Sequence, residues 1–115
     1  MKLVNLTPHT INVVASDGTT ILAIKPSGDV ARVSSHTETT GFVTVWDGDG
    51  AVLIPVTATV FGDVQGLPDP QNDVAFVVSS LVAQMVPDRD DVFIPSDSVR
   101  DNAGRIIGCR SLGRI

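Results

Sequence analysis

Short β-branched and aromatic runs, separated by Gly, Pro and Asp, divide the first two-thirds of this 115-residue sequence. Two such runs, at 10–15 and 19–24, flank Asp17-Gly18, and an Asp-Gly pair supplies the positive φ that a tight hairpin requires. The pattern recurs at 42–46 and 51–54, on either side of Asp47-Gly48-Asp49-Gly50. Repeated strand and turn signals at this spacing predict a fold dominated by short strands.

Further strands are predicted at 30–34, 92–94 and 105–109, and the polar, threonine-rich segment 36–41 is expected to be a loop. Gly66, Pro68 and Pro70 predict a second loop over 62–73. Pro55 interrupts a run that would otherwise form one long strand. Because proline donates no hydrogen bond to a ladder, we expect an edge, a bulge or a break there.

Residues 74–86 change character halfway along. Segment 74–78 is continuous and β-branched, as in a strand buried on both faces. Ser79 and Ser80 then offer a helix N-cap, and Pro87 ends the helical spacing that follows. We therefore predict an α+β, β-rich single domain over 1–115, with seven or eight short, mostly antiparallel strands and one short helix at about 79–86.

Composition excludes several classes of protein. With 43% hydrophobic and 18% charged residues, the chain is not intrinsically disordered. A net charge of −5 argues against general nucleic-acid binding. The single cysteine, Cys109, permits neither an intrachain disulfide nor a cysteine zinc cluster. The longest mostly apolar stretch, 74–86, is shorter than the ~20 residues of a membrane span, and no secretory signal pattern is present. A cytoplasmic location is expected.

Charge is distributed unevenly along the chain. The first 87 residues contain three basic and eight acidic side chains, whereas the last 28 contain five arginines and five aspartates. Arginine is suited to bidentate contacts with carboxylate or phosphate. Two interpretations stay open: the arginines pair with neighbouring aspartates in surface turns, or two or three of them converge on an anionic ligand.

Three polar clusters are candidate binding elements. Ser79-Ser80 at a strand-to-helix junction offers hydroxyls beside free backbone N–H groups, or simply caps the helix. Thr7-Pro8-His9 places a histidine on a stiff backbone, or serves only to start the hairpin. Ser27 and Gly28 are expected to form a turn. This turn either binds an anion, with Arg32 nearby, or has no role beyond reversing the chain. The acidic clusters at 47–50 and 88–91 predict turns rather than a metal site, and no cofactor is expected.

Asn5-Leu6-Thr7-Pro8-His9 resembles the opening of a family of small, mostly uncharacterised proteins encoded by bacteriophages and prophages. The resemblance extends through Pro26-Ser27-Gly28, Ala31-Arg32-Val33, Gly66-Leu67-Pro68, Val77-Val78-Ser79, Leu81-Val82-Ala83, Arg89 with Asp91, Pro95, Arg100-Asp101, Gly104-Arg105 and Gly108-Cys109. It implies a phage product acting in the cytoplasm of a bacterial host cell, and it carries over no catalytic assignment.

The leading functional prediction is a non-catalytic, homo-oligomeric protein that binds a small anionic, nucleotide-like ligand, such as a host defence signal that it would sequester. The predicted ligand-binding residues are Thr7, His9, Ser27, Arg32, Ser79, Ser80, Arg89, Arg100 and Arg105. An alternative is a protein–protein interaction module, either a minor virion component or an inhibitor of a host protein, with an apolar patch around Phe42, Val43 and Trp46. A small hydrolase using His9 or Ser79 is a third hypothesis. It has no recognisable base–nucleophile spacing, and Ser79 lacks a Gly-x-Ser-x-Gly elbow.

Overall fold

The computed structural model describes residues 1–115 and contains eight strands and one short helix. The β-rich α+β class, with mostly antiparallel sheets, is therefore confirmed. The chain divides into two compact units, one formed by Met1–Arg32 with Val64–Ile115 and the other by Val33–Asp63. The assignment of 1–115 to a single domain stays a prediction.

The first unit is built on a six-stranded sheet. Its strands are β1 (Lys2–Asn5), β2 (Ile11–Val14), β3 (Thr20–Ile24), β6 (Val74–Val77), β7 (Val92–Arg100) and β8 (Ile106–Gly113), and α1 (Ser80–Met85) follows β6. The order across the sheet is β1-β6-β7-β8-β2-β3. The pairs β2–β3 and β7–β8 are antiparallel, whereas β1–β6, β6–β7 and the short β2–β8 contact are parallel.

The core of this unit is centred on β6 and the residues that follow it. Phe76, Val77, Val78 and Val82 are almost completely buried. Strand β6 is hydrogen-bonded on both edges, to β1 and to β7. A strand paired on both edges and covered on both faces requires a continuous apolar run, and segment 74–78 supplies one.

The second unit consists of most of β4 (Arg32–Trp46) and β5 (Ala51–Gln65), which form a two-stranded sheet. The Asp47 N–H donates to the carbonyl of Gly50 at 2.9 Å, and Thr40 Oγ1 donates to the carbonyl of Val56 at 3.2 Å. Ser34 Oγ lies 3.5 Å from the carbonyl of Asp63. Earlier residues of β4 thus contact later residues of β5. The two strands therefore form an antiparallel hairpin, here called the long hairpin.

The long hairpin corrects the prediction of a loop at 36–41, since those residues lie inside β4. Thr37, Thr39 and Thr40 are β-branched and suit extended backbone even where no face is covered. The loop predicted from residue 62 is also wrong at its start, because β5 continues to Gln65. Pro55 lies within β5 at a strand edge, one of the three outcomes expected for it, because each strand of a two-stranded sheet has a free edge.

Several strand boundaries in the first unit also differ from the prediction. β4 begins at Arg32 rather than at residue 30, β7 continues to Arg100 and β8 continues to Gly113. β7 pairs with β6 only at Val92 and Phe93, so the edge of β7 that faces β6 is unpaired at Pro95. A proline, which has no N–H to donate, is therefore accommodated within this strand. The strand β1 was not predicted. The predicted helix is confirmed, with Ser79 as its N-cap, and its six residues are too few to cross a membrane.

Candidate functional site

Asn5 organises the N-terminal polar cluster. This side chain is 1% exposed and ends β1. Its amide Nδ2 donates to the carbonyls of His9 at 2.7 Å and Ile24 at 2.9 Å. Its Oδ1 accepts from the Thr7 N–H at 2.9 Å and the Thr7 hydroxyl at 2.7 Å. Both donors and both acceptor positions of the amide are thus occupied, and no buried side-chain nitrogen or oxygen of the protein is left without a partner.

Thr7 and His9, two predicted ligand-binding residues, are tied to this arrangement by their backbones and by the Thr7 hydroxyl. That hydroxyl also lies 3.1 Å from the carbonyl of His9. The His9 side chain is exposed and faces an open cavity of about 570 Å³ lined mainly by apolar residues such as Ile106 and Ile107. These hydrogen bonds give the Thr7–His9 segment a structural role, because they hold the turn between β1 and β2. The exposed His9 ring takes no part in them.

Ser27 is held in a local turn beside the same asparagine. Its N–H donates to the carbonyl of Asn5 at 3.0 Å. Its hydroxyl donates to the carbonyl of Asp29 at 3.2 Å and accepts from the Asp29 N–H at 3.3 Å. Ser27 lines an open cavity of about 380 Å³ that also contains Lys2 and Gln71. One cationic side chain, Lys2, and one anionic side chain, Asp29, therefore line this cavity, and the hydroxyl of Ser27 is already engaged.

Arg32 shares a shallow cleft with two other predicted residues, Thr7 and Ser79. The cleft has a volume of about 280 Å³, and Leu6, Pro8, Val30 and Ala31 complete its lining. The Arg32 side chain is exposed and is the one arginine without a hydrogen bond, an ion pair or an aromatic contact. We call this group of residues the Arg32 cleft. The Arg32 guanidinium is free to bind an anion.

Ser79 and Ser80 serve the helix. The hydroxyl of Ser79 accepts from the Val82 N–H at 3.4 Å, which is the capping bond expected from the sequence. The exposed Ser80 hydroxyl accepts from the Gln84 amide at 3.1 Å, one helical turn further on. Neither serine lies beside a histidine within hydrogen-bond distance, so the geometry offers no activated nucleophile here.

Arg89 forms a bidentate ion pair inside the first unit. Its Nε and a terminal nitrogen lie 2.7 and 2.8 Å from the two oxygens of Asp91, and the terminal nitrogen also donates to the carbonyl of Pro68 at 2.9 Å. The hydrogen bonds from Arg89 hold the pKa of Asp91 below its ordinary value, although partial burial of the carboxylate acts the other way. The Arg89 guanidinium thereby joins the loop before β6 to the loop after α1.

Arg100 and Arg105 belong to the turn between β7 and β8. Arg100 donates to the carbonyl of Gly104 at 2.7 Å, and Arg105 Nε lies 3.6 Å from a carboxylate oxygen of Asp101. Asp101 Oδ1 accepts from the N–H groups of Ala103 and Arg105. Arg89 and Arg105 thus pair with neighbouring aspartates, whereas Arg100 binds a backbone carbonyl of its own turn.

The predicted site residues thus fall into separate places. Thr7, Arg32 and Ser79 line one cleft, whereas Ser27 and His9 face two other cavities. No group of three or more His, Cys, Asp or Glu side chains is placed to hold a metal ion. Asn5 was quoted in the sequence pattern but was not recognised as the hydrogen-bonding centre. Its position at the end of a short β-run, before Thr-Pro, was the available signal.

The largest apolar feature lies on the long hairpin. None of the residues between Val33 and Asp63 is buried. Ten large apolar side chains of this segment are exposed: Phe42, Val43, Val45, Trp46, Val52, Leu53, Ile54, Val56, Val60 and Phe61. The sequence had indicated only the patch around Phe42, Val43 and Trp46. The structure extends it over both strands.

Comparison with protein-family models, with curated proteins and with solved structures gives no significant match to this chain.

Proposed function

We propose that this protein is a non-catalytic interaction module and that the long hairpin is its binding surface. The observation that carries this proposal is the complete absence of buried residues between Val33 and Asp63, in a segment with ten exposed large apolar side chains. Every other part of the sheet structure packs against a core, whereas these two 15-residue strands do not bury a single side chain within the chain.

Energetics favour a partner for the long hairpin. An isolated two-stranded hairpin is at best marginally stable in water. Monomeric proteins rarely expose contiguous apolar patches larger than a few hundred Å². The ten side chains expose on the order of 1,000 Å², given that one large aromatic side chain alone covers roughly 150–250 Å². Covering this surface supplies the burial that an ordered hairpin of this length requires.

The charges on the long hairpin indicate which kind of partner fits. Segments 39–46 and 51–62 contain no charged residue, and no lysine or arginine occurs anywhere between Val33 and Asp63. Edge strands of free proteins are often protected by lysine or proline, and here there is no lysine and a single proline, Pro55. The partner therefore presents an apolar, uncharged surface.

The biological setting is proposed from the resemblance to phage and prophage proteins. We place the protein in an infected bacterial cell, as a minor virion component or as an inhibitor that covers an apolar surface of a host protein. Both roles use the same surface of the long hairpin, and neither requires a catalytic base or a metal.

Capture from bacterial lysate tests the proposal. Three tagged proteins would be expressed: the wild type, Leu53→Glu on the long hairpin, and Ile21→Glu on β3. Leu53 and Ile21 are both 66% exposed, so they form a matched pair. We expect Leu53→Glu to retain about tenfold less of any stoichiometric companion, because a buried carboxylate costs well above 1.4 kcal/mol. Capture of the same companion, either a bacterial protein or an added untagged copy of this chain, in equal amounts by all three proteins would contradict the proposal.

A second candidate function is favoured by the Arg32 cleft. Because Arg32 has no partner in the protein, its guanidinium can bind a carboxylate or phosphate without breaking an existing pair. The hydroxyls of Thr7 and Ser79 line the same cleft. We propose that a small anionic, nucleotide-like ligand binds there, and such binding would let the protein sequester a defence signal without catalysis.

Thermal denaturation with a panel of nucleotides and cyclic nucleotides tests this second function. A ligand at 100 times its Kd adds about 2.7 kcal/mol to stability. The Arg32→Ala variant should lose the resulting rise in Tm. Arg110→Ala should keep it, because Arg110 lies outside the cleft, near Asp97. Absence of a shift with every compound, or an equal shift in both variants, would eliminate the Arg32 cleft as the binding site.

A further inference from the structure

We infer that the occupant of the long hairpin is a second copy of this chain, so that the protein assembles on itself through this surface. This inference rests on the proposed function of the hairpin and names its partner. Consecutive residues of a strand point to opposite faces of the sheet. Val52, Leu53 and Ile54 are consecutive and exposed, as are Val45 and Trp46. Both faces of the long hairpin are therefore apolar.

The size of the surface requires a copy of the chain on each face. Stable protein–protein interfaces bury about 800 Å² on each partner. The exposed apolar side chains of one hairpin provide on the order of 1,000 Å², divided between its two faces. One copy packed on one face covers roughly half of that area, so copies on both faces together supply the burial of a stable assembly.

The uncharged, apolar surface is also complementary to a second copy of itself. An isologous interface requires a patch that is complementary to its own copy. The uncharged segments 39–46 and 51–62 meet this requirement, because no like charges come together when they pack on each other. Apart from Pro55, the strand edges carry no protecting proline or lysine, and a second copy is the one partner that is always produced at the same place and concentration.

Sedimentation velocity of the purified full chain, from about 1 to about 100 μM, tests the inference. We expect a dimer or a larger assembly for the wild type and for Ile21→Glu. We expect Leu53→Glu to sediment as a monomer, or with a Kd raised about tenfold or more. A wild type that is monomeric at every concentration would overturn self-assembly. If lysate capture by the same protein still depended on Leu53, the interaction module would stand with a different partner.

A check on folding keeps these outcomes interpretable. Circular dichroism and the cooperativity of unfolding establish whether Leu53→Glu retains the first unit. If it does not, Thr44→Lys, in the same uncharged region and without loss of an apolar side chain, takes its place with the same expectation.

Discussion

At the residue scale, Asn5 shows how one buried amide can position a whole polar segment. Its four hydrogen bonds connect the end of β1 to the Thr7–His9 turn and to the end of β3 at Ile24. The backbone of Asn5 also receives the N–H of Ser27. These contacts give the Asn-Leu-Thr-Pro-His segment a structural basis that does not depend on a ligand.

Substituting Asn5 with alanine should lower the free energy of unfolding by about 2–4 kcal/mol, because it leaves backbone groups at Ile24 and Thr7 without partners in a dry environment. Urea unfolding of the purified protein measures this loss. Asn12→Ala is the control, since Asn12 makes one long bond of 3.3 Å to the carbonyl of Ile107. Equal losses in the two variants would show that Asn5 is not the centre of the cluster.

The pair of Arg89 and Asp91 gives stability a dependence on pH. The hydrogen bonds of Arg89 lower the pKa of Asp91 in the folded protein below the value of about 3.9 found in unfolded chains. A lowered pKa contributes stability that is fully present above the unfolded value and is lost as pH falls through the folded one. This contribution should therefore persist at pH 7 and disappear in acid.

The Asp91→Asn variant should be less stable than the wild type at pH 7 by about 1–3 kcal/mol, since it leaves Arg89 partly buried without its counter-ion. The difference should shrink as pH falls below about 4. Urea unfolding at several pH values tests this, with the exposed Asp88→Asn as control. A difference between wild type and Asp91→Asn that stays constant down to pH 2 would refute this role of the pair.

At the element scale, strands and the helix were predictable where local signals coincide with burial. Segment 74–78 reads as a strand because both its faces are buried, and Ser79 marks the start of α1 because capping is a local interaction. The long hairpin lacks the alternating pattern because alternation arises from burying one face, and neither face of it is buried within the chain. Segment 36–41 was misassigned for this reason.

The separation of the candidate residues could not be predicted either. Arg105 has an aspartate four residues away, so its pairing with Asp101 is one of the two interpretations that the sequence leaves open. The contact between Arg89 and the carbonyl of Pro68, by contrast, joins loops 21 residues apart and follows only from the sheet order. The meeting of Thr7, Arg32 and Ser79 in one cleft likewise depends on long-range packing.

Two glycines with the same backbone conformation provide a test of packing between elements. Gly66 and Gly104 both have φ +81, a region that favours glycine. A Cβ added at Gly66 would lie 2.6 Å from the carbonyl oxygen of Val30, whereas one added at Gly104 would meet no atom within 4 Å. We expect Gly104→Ala to cost about 1–2 kcal/mol and Gly66→Ala to cost clearly more. Denaturant unfolding measures both losses of stability. Equal losses would show that the backbone of Val30 moves aside without an energetic cost.

At the scale of the whole molecule, the two units differ in what holds them together. The first unit has its own buried core, whereas residues 33–63 have none and contain four acidic and no basic side chains. Most of the net charge of −5 thus belongs to the long hairpin, outside its uncharged middle. The first unit is therefore a scaffold with its own core, and we propose that the long hairpin is a surface completed by assembly.

Fluorescence of Trp46 tests this central claim most directly. It is the only tryptophan, it lies on the long hairpin, and it is 79% exposed in the single chain. We predict that at high protein concentration its emission lies at short wavelength and resists quenching by acrylamide, and that dilution moves the emission to longer wavelength as the assembly dissociates. The Leu53→Glu variant should show the long-wavelength emission at all concentrations. A wild type whose Trp46 is fully quenchable at every concentration would contradict the account.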